Sequence, residues 1–112
     1  MASKSYRKGY RFEREVAEWF EKQGFFVIRQ GKSRFPDLIA IPPITSYWTL
    51  PRLIECKYNK LPTKQEIRKL MELENKYTCN TLIAFKRKGE RGFELLIPEE
   101  LLEEEDEECP TS

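Results

Sequence analysis

The chain alternates helical and strand patterns in an order that fits a single α/β domain. Residues 9–23 have the apolar stripe of an amphipathic helix, which Gly24 ends. A second helix is predicted from Thr63, because TKQE is a capping box, and a short acidic helix is predicted from Pro98. The predicted strands are 25–30, 36–41, 50–57, 81–86 and 93–97. The order α-β-β-β-α-β-β-α predicts a central mixed sheet flanked by helices.

The length of 112 residues allows one hydrophobic core but not two. We therefore expect a basic flexible arm at residues 1–8, one domain at residues 9–102 and an acidic tail at residues 103–112. No apolar run approaches the length of a membrane span and no signal-peptide pattern opens the chain, so a cytoplasmic location is expected. Three cysteines that form no CxxC pair, in a chain without histidine, argue for reduced thiols and against a structural zinc site.

The net charge of +1 conceals an uneven distribution of charged residues. All 20 Lys and Arg residues precede Pro98, whereas eight of the 19 acids follow it, so residues 1–98 have a net charge of +9. A basic domain with an acidic tail is typical of proteins that bind polyanions such as DNA. Solvated surface charge with a solubilising tail explains the same distribution, and charge alone does not separate the two interpretations.

The stretch LPRLIECKY, at 50–58, places two charges inside an apolar strand pattern. Side chains alternate between the two faces of a strand, so Glu55 and Lys57 share one face with Leu53. Charges are rarely kept among apolar neighbours unless they are paired or used. Asp37 begins the preceding strand, and a hairpin between the two strands would bring Asp37 and Glu55 together.

Two carboxylates at one position repel each other unless a divalent cation lies between them, and oxygen ligands favour Mg²⁺ or Mn²⁺ over zinc. A bound cation makes its water more acidic and offsets charge on phosphate oxygens, and Lys57 could hold that water or the phosphate. The pattern therefore indicates phosphodiester cleavage. The structural alternative is an ion pair of Glu55 with Lys57 or Arg52.

The spacing of PD at 36–37 and ECK at 55–57 resembles the PD-(D/E)xK nuclease superfamily. A longer stretch, YRKGYRFEREVAEWFEKQGFFVIRQGKS followed by PDLIA and IECK, closely resembles the archaeal-type Holliday junction resolvases from Tyr6 through Lys57. The resemblance is looser beyond this point. The loop at 42–50 is longer and richer in proline than that family's turn, and the chain ends in acids rather than in an apolar segment.

The resemblance implies which residues bind the metal and do the chemistry. Mg²⁺, with Mn²⁺ as a substitute, would be bound by carboxylates and one main-chain carbonyl; these ligands would be Glu13, Asp37, Glu55 and Cys56, the last through its carbonyl oxygen. Lys57 would position the attacking water or stabilise the charge on the phosphate. Ser33 would contact DNA near the scissile bond, and Gln65 would face the site from the second helix. An ordinary turn serine and a solvated first-turn residue are the alternatives for these two.

Basic residues cluster around these motifs, and the resemblance implies that they contact DNA phosphates. With the loop serine, the expected DNA-binding residues are Arg7, Lys8, Arg11, Arg29, Lys32, Ser33, Arg34 and Lys60. Each basic residue is equally explained as a solvated surface charge, and their clustering favours DNA.

The family implies a Mg²⁺-dependent endonuclease that resolves four-way junctions by symmetric paired nicks in DNA recombination and repair. A four-way junction has two-fold symmetry, so a homodimer is the expected assembly. The hairpin at 81–97 and the last helix are favoured as its interface over the loop that contains Tyr47 and Trp48. Two alternatives remain open: another nuclease of the superfamily, acting on flaps, nicks or foreign DNA, and a non-catalytic nucleic-acid-binding module on the same fold.

Overall fold

The structure, a computed structural model, describes residues 4–31 and 34–102. Its elements are α1 (Lys4–Lys22), β1 (Phe26–Arg29), β2 (Leu38–Ile41), β3 (Arg52–Tyr58), α2 (Lys64–Lys76), β4 (Asn80–Lys86) and β5 (Glu94–Leu96). A last helical turn lies at 98–102. The predicted element order and the predicted α/β class are confirmed.

One five-stranded sheet forms the centre of the molecule, in the order β1-β2-β3-β4-β5. β3 and β4 run parallel, and the other neighbouring pairs run antiparallel. A parallel pair needs a crossover connection, and α2 provides it. The mixed sheet therefore results from one helical crossover, with antiparallel connections before and after it.

The two long helices cover opposite faces of this sheet. Leu82 and Ala84 of β4 belong to the buried cluster that α1 completes. Ile83, which lies between them and points to the other face, packs against Ile67 and Leu70 of α2. None of the helices in the described ranges combines the length and the apolar character that a membrane crossing needs.

The first helix begins earlier than the sequence pattern indicates. The predicted arm covered residues 1–8, but α1 begins at Lys4, so residues 4–8 are helical. The prediction relied on an apolar stripe that begins only at Phe12, whereas lysine and arginine extend a helix almost as well as alanine does. Residues 1–3 and the predicted acidic tail at 103–112 lie outside the described residues.

The two ends of the sheet differ in chemistry. At one end β1 and β3 finish, β2 begins and α2 starts, and this end brings Asp37 and Glu55 together. The proline-rich loop at 42–50 lies at the other end, one strand length or about 13 Å away. Tyr47 and Trp48 in this loop are exposed, and the guanidinium of Arg52 lies 4.5 Å from the centre of the Trp48 ring.

Candidate active site

Asp37 and Glu55 meet where the pairing of β2 and β3 ends. Leu38 pairs with Ile54, so the next residues outward, Asp37 and Glu55, lie opposite each other. The backbone N–H of Asp37 donates a hydrogen bond of 3.2 Å to Oε1 of Glu55. The backbone N–H of Cys56 donates one of 2.8 Å to Oδ2 of Asp37. These bonds use one oxygen of each carboxylate, and they confirm that the hairpin brings the two residues together.

Gln30 makes two hydrogen bonds to the residues at the far end of the loop that precedes Asp37. The backbone N–H of Gln30 donates to the carbonyl of Asp37 at 3.0 Å, and its side-chain amide donates to the carbonyl of Pro36 at 2.7 Å. Gly31 has a φ of 75°, a left-handed conformation that glycine adopts without strain. The turn therefore presents Asp37 to β3 in a fixed position.

Glu55 is an almost completely buried carboxylate, with 8% of its surface exposed. Burial is the main reason that its pKa is raised, and the charge of Asp37 raises it further, to about 8. The positive charge of Lys57 opposes this shift but does not cancel it. A buried carboxylate beside a second carboxylate is an environment that a bound cation would stabilise.

Glu13 of α1 lies beside this pair but is held by an arginine. Nε of Arg29 donates to Oε1 of Glu13 at 3.3 Å, and the Arg29 guanidinium lies 4.6 Å from the centre of the Tyr10 ring. Burial and then the charge of Asp37 raise the pKa of Glu13, whereas Arg29 opposes the shift. Glu13 is therefore within electrostatic reach of Asp37, and its carboxylate is already paired.

Lys57 forms an ion pair with Glu66 of α2, a residue that the sequence interpretation assigned only to the capping box. The Lys57 ammonium donates to Oε2 of Glu66 at 2.6 Å. Burial alone would raise the pKa of Glu66, but hydrogen bonds from Lys57 and Thr63 outweigh it and hold the pKa below its ordinary value. Since Lys57 pairs with Glu66 and Arg52 stacks on Trp48, the alternative in which Glu55 pairs with either of them is not what the structure shows.

Oxygen atoms dominate the donor set at this end of the sheet. Burial and the charge of Asp37 raise the pKa of the Cys56 thiol strongly, so the thiol stays neutral and its predicted role rests on the carbonyl oxygen. Across residues 4–31 and 34–102, no three acidic or thiol side chains converge closely enough to hold an ion by themselves. The two facing carboxylates of Asp37 and Glu55 fit a hard cation such as Mg²⁺ that completes its shell with a carbonyl and water.

Of the predicted DNA contacts, Arg29 ends β1, Arg34 precedes β2 and Lys60 follows β3, so these three lie at the site end of the sheet. Arg11, Arg34 and Lys60 are exposed, and Lys8 is half-buried. Gln65 is exposed in the first turn of α2, one residue before Glu66. The side chain of Arg7 and the whole of Lys32 and Ser33 lie outside the described residues, so the expectations for them remain predictions.

The family model described as archaeal Holliday junction resolvase (hjc) matches residues 4–109 of the chain. The chain belongs to this family. It is 35% identical over 92 residues to the crossover junction endodeoxyribonuclease Hjc of Methanocaldococcus jannaschii. That alignment covers 79% of this chain and 65% of the relative, so the chain spans less than two thirds of that relative's length.

A solved structure shows the same fold. The Holliday junction resolvase Hjc of Archaeoglobus fulgidus, an archaeal hyperthermophile, matches with a TM-score of 0.63 at 24% sequence identity. The match covers 82% of this chain and 74% of that protein. The arrangement of helices and strands described above is therefore the Hjc arrangement.

Proposed function

We propose that the chain is a Mg²⁺-dependent endonuclease that resolves four-way DNA junctions by symmetric paired nicks in recombination and repair. The observation that carries the proposal is the contact between Asp37 and the buried Glu55 beside Lys57, in a chain of the archaeal Holliday junction resolvase family. A degraded, purely DNA-binding member of the fold would have no use for a buried Glu55 carboxylate that a second carboxylate, Asp37, repels.

The residues at the site divide the chemistry among them. Asp37, Glu55 and the carbonyl of Cys56 would hold Mg²⁺, or Mn²⁺ in its place, with Glu13 next to them. When bound, the ion supplies an activated water and offsets negative charge on the phosphate. Asp37 is kept in place by its bond from Cys56, and burial of Glu55 excludes solvent from one side of the site.

Lys57 would donate a hydrogen bond to the attacking water or to a phosphate oxygen. The water oxygen attacks phosphorus in line, and the bond from phosphorus to the 3′ oxygen breaks. The attacking water gives up a proton to solvent and the 3′ oxygen takes one up from solvent, which leaves a 3′-hydroxyl and a 5′-phosphate. The positive charge of the Lys57 ammonium would stabilise the negative charge that develops on the phosphate in the transition state.

The proposed substrate, a four-way junction, determines which residues would bind DNA and how many chains would act together. The exposed Arg11, Arg34 and Lys60 would bind phosphates around the cleavage site. One chain has one Asp37–Glu55 pair, whereas resolution needs two symmetric nicks, so a two-fold homodimer would act on one junction. The place of such an enzyme is with the DNA, in the cytoplasm.

Labelled DNA of different shapes tests the proposal. Four-way junction, flap and linear duplex with the same sequence in the cut arm are incubated with the protein, with Mg²⁺ and with chelator. The expected result is paired nicks in the junction, dependent on Mg²⁺, with 5′-phosphate ends. Preferred cutting of flaps would indicate another nuclease of the superfamily, and binding without cutting in Mg²⁺ and in Mn²⁺ would indicate a non-catalytic module.

A further inference from the structure

Glu66 uses its two oxygens for two different tasks. Oε1 accepts a hydrogen bond of 2.9 Å from the backbone N–H of Thr63, which completes the capping box together with the bond from the Glu66 N–H to Oγ1 of Thr63. Oε2 accepts the bond of 2.6 Å from the Lys57 ammonium. The cap of α2 and the lysine of the Glu-x-Lys motif are therefore joined through one carboxylate.

This ion pair differs from an ordinary surface pair in two respects. The side chains of Lys57 and Glu66 are only 24% and 26% exposed, so solvent screens their attraction less than it would at the surface. The capping box also holds the Glu66 side chain in one orientation. Formation of a surface ion pair normally costs the rotamer entropy of both side chains. Because the capping box already fixes Glu66, pairing here costs the rotamer entropy of Lys57 alone.

A lysine at this position has a competing partner. Glu55 lies two residues before Lys57 on the same face of β3, and its charge interacts with that of Lys57. The four-carbon stem of lysine is flexible enough to reach either carboxylate. An ammonium paired with Glu55 would neutralise the carboxylate that the proposed cation needs, and it would leave the position from which it can reach water or phosphate.

We propose that Glu66 is a positioning residue for Lys57, which holds the ammonium beside the site and keeps it off the Glu55 carboxylate. The inference rests on the proposed nuclease function and adds a residue to it. In this role Glu66 contacts Lys57 and acts on the site only through it. Residues that orient a catalytic group from behind typically change activity or metal affinity about 10–100-fold when they are replaced.

Two variants separate the two tasks of Glu66. In Glu66→Gln, the amide oxygen still accepts from the Thr63 N–H, as glutamine does in a capping box, but the charge that holds Lys57 is lost. In Thr63→Ala, the cap loses its hydroxyl, while the Glu66 carboxylate and its bond to Lys57 remain. A purely structural role would make the loss of the cap the more damaging change, whereas a positioning role makes the loss of the charge more damaging.

Two measurements read out the effect, both at a temperature at which circular dichroism shows every variant folded. The first is single-turnover cleavage of a four-way junction, in which we expect Glu66→Gln to be about 10–100-fold slower and Thr63→Ala to match the wild type. The second is Mn²⁺ affinity of the DNA-free protein by calorimetry, in which we expect Glu66→Gln to be weakened about tenfold. Binding of junction DNA in chelator should be the same for all three proteins.

The same change in a Lys57→Met background tests whether Glu66 acts through the lysine. Methionine is unbranched and has no charge, so Glu66→Gln should then have no further effect on cleavage or on Mn²⁺ affinity. Equal loss of Mn²⁺ affinity in both backgrounds, or a Glu66→Gln protein that binds Mn²⁺ and cuts like the wild type, would overturn the inference. A wild type that cuts no junction would instead refute the proposed function, and the Mn²⁺ series would still decide the role of Glu66.

Discussion

The carboxylate of Asp37 accepts a hydrogen bond of 2.8 Å from the backbone N–H of Cys56, the middle residue of the Glu-x-Lys motif. The pairing of β2 and β3 ends at Leu38 and Ile54, so β2 offers no further backbone acceptor at this point. The side chain of Asp37 takes the place of that acceptor. Asp37, the residue just before β2, thus lies where the strand pairing ends and supplies a carboxylate to the candidate site.

Asparagine and alanine at position 37 should therefore differ in stability. Both changes remove the charge that repels Glu55, but Asp37→Asn keeps an oxygen for the Cys56 N–H, whereas Asp37→Ala leaves that donor without a partner. We expect Asp37→Ala to be less stable than Asp37→Asn by about 1–3 kcal/mol. Urea unfolding in chelator measures the difference, and equal midpoints would show that the bond to Cys56 contributes nothing.

Glu55 should make the metal-free protein less stable as pH rises. Its pKa is about 8 in the folded protein against an ordinary value of 4.5, so the folded state binds this proton more tightly than the unfolded state. The stability that results is complete below about pH 4.5 and is lost as pH rises through about 8. The raised pKa of Glu13 acts in the same direction.

The control for this pH effect is Glu55→Gln, which cannot titrate at position 55. In chelator, the melting temperature of the wild type should fall relative to that of Glu55→Gln between about pH 5 and about pH 8. Parallel pH profiles of the two proteins would contradict the raised pKa.

The exposed basic residues predicted to contact DNA should set the salt dependence of DNA binding. Each phosphate contact that is lost lowers the slope of log K against log salt by about 1, so Arg11→Ala, Arg34→Ala and Lys60→Ala should each show this change. Lys76→Ala is the matched control, because Lys76 lies in the last turn of α2, about 18 Å along the helix from Lys64. If Lys76→Ala changes the slope as much as the other three, DNA does not bind at the site end.

The hairpin of β4 and β5 and the last helix are the predicted dimer interface, and exposure shows which apolar side chains of the hairpin are available for it. Phe85 is buried in the core, whereas Leu95 and Ile97 are 36% and 46% exposed on or beside the edge strand β5. Light scattering of the wild type should give twice the chain mass of 13.4 kDa, and Leu95→Lys should shift it toward the monomer. Trp48→Ala, in the loop at the other end of the sheet, should leave the mass unchanged. A wild type of 13.4 kDa that still nicks both strands would contradict the dimer.

Local sequence signals were sufficient for the fold and for the meeting of the two carboxylates. Alternation along β3 puts Glu55 and Lys57 on one face, and the hairpin register then brings Asp37 to Glu55, because both are properties of neighbouring strands. The capping box at Thr63 marked the start of α2 correctly for the same reason, since all of its hydrogen bonds are local.

The pairing of Lys57 with Glu66 could not be predicted in this way. It depends on how α2 packs against the sheet, which is set by the burial of Ile67 and Leu70 against Ile83 and not by any pattern around Glu66. The sequence contains one weak indication of this pairing. Only five residues separate β3 from α2, so the capping-box glutamate in the first turn of α2 has to lie near the end of the strand that contains Lys57.

Single-turnover cleavage of a labelled four-way junction by wild type and Asp37→Asn tests the central claim most directly. Asparagine keeps the bond from Cys56 but removes a metal-binding charge, so cleavage in Mg²⁺ should fall by about 10³-fold or more while junction binding in chelator is retained. Glu72→Gln, an exposed carboxylate on α2, should cut like the wild type. Cleavage by Asp37→Asn at a rate near that of the wild type would contradict the assignment of the Asp37–Glu55 pair as the active site.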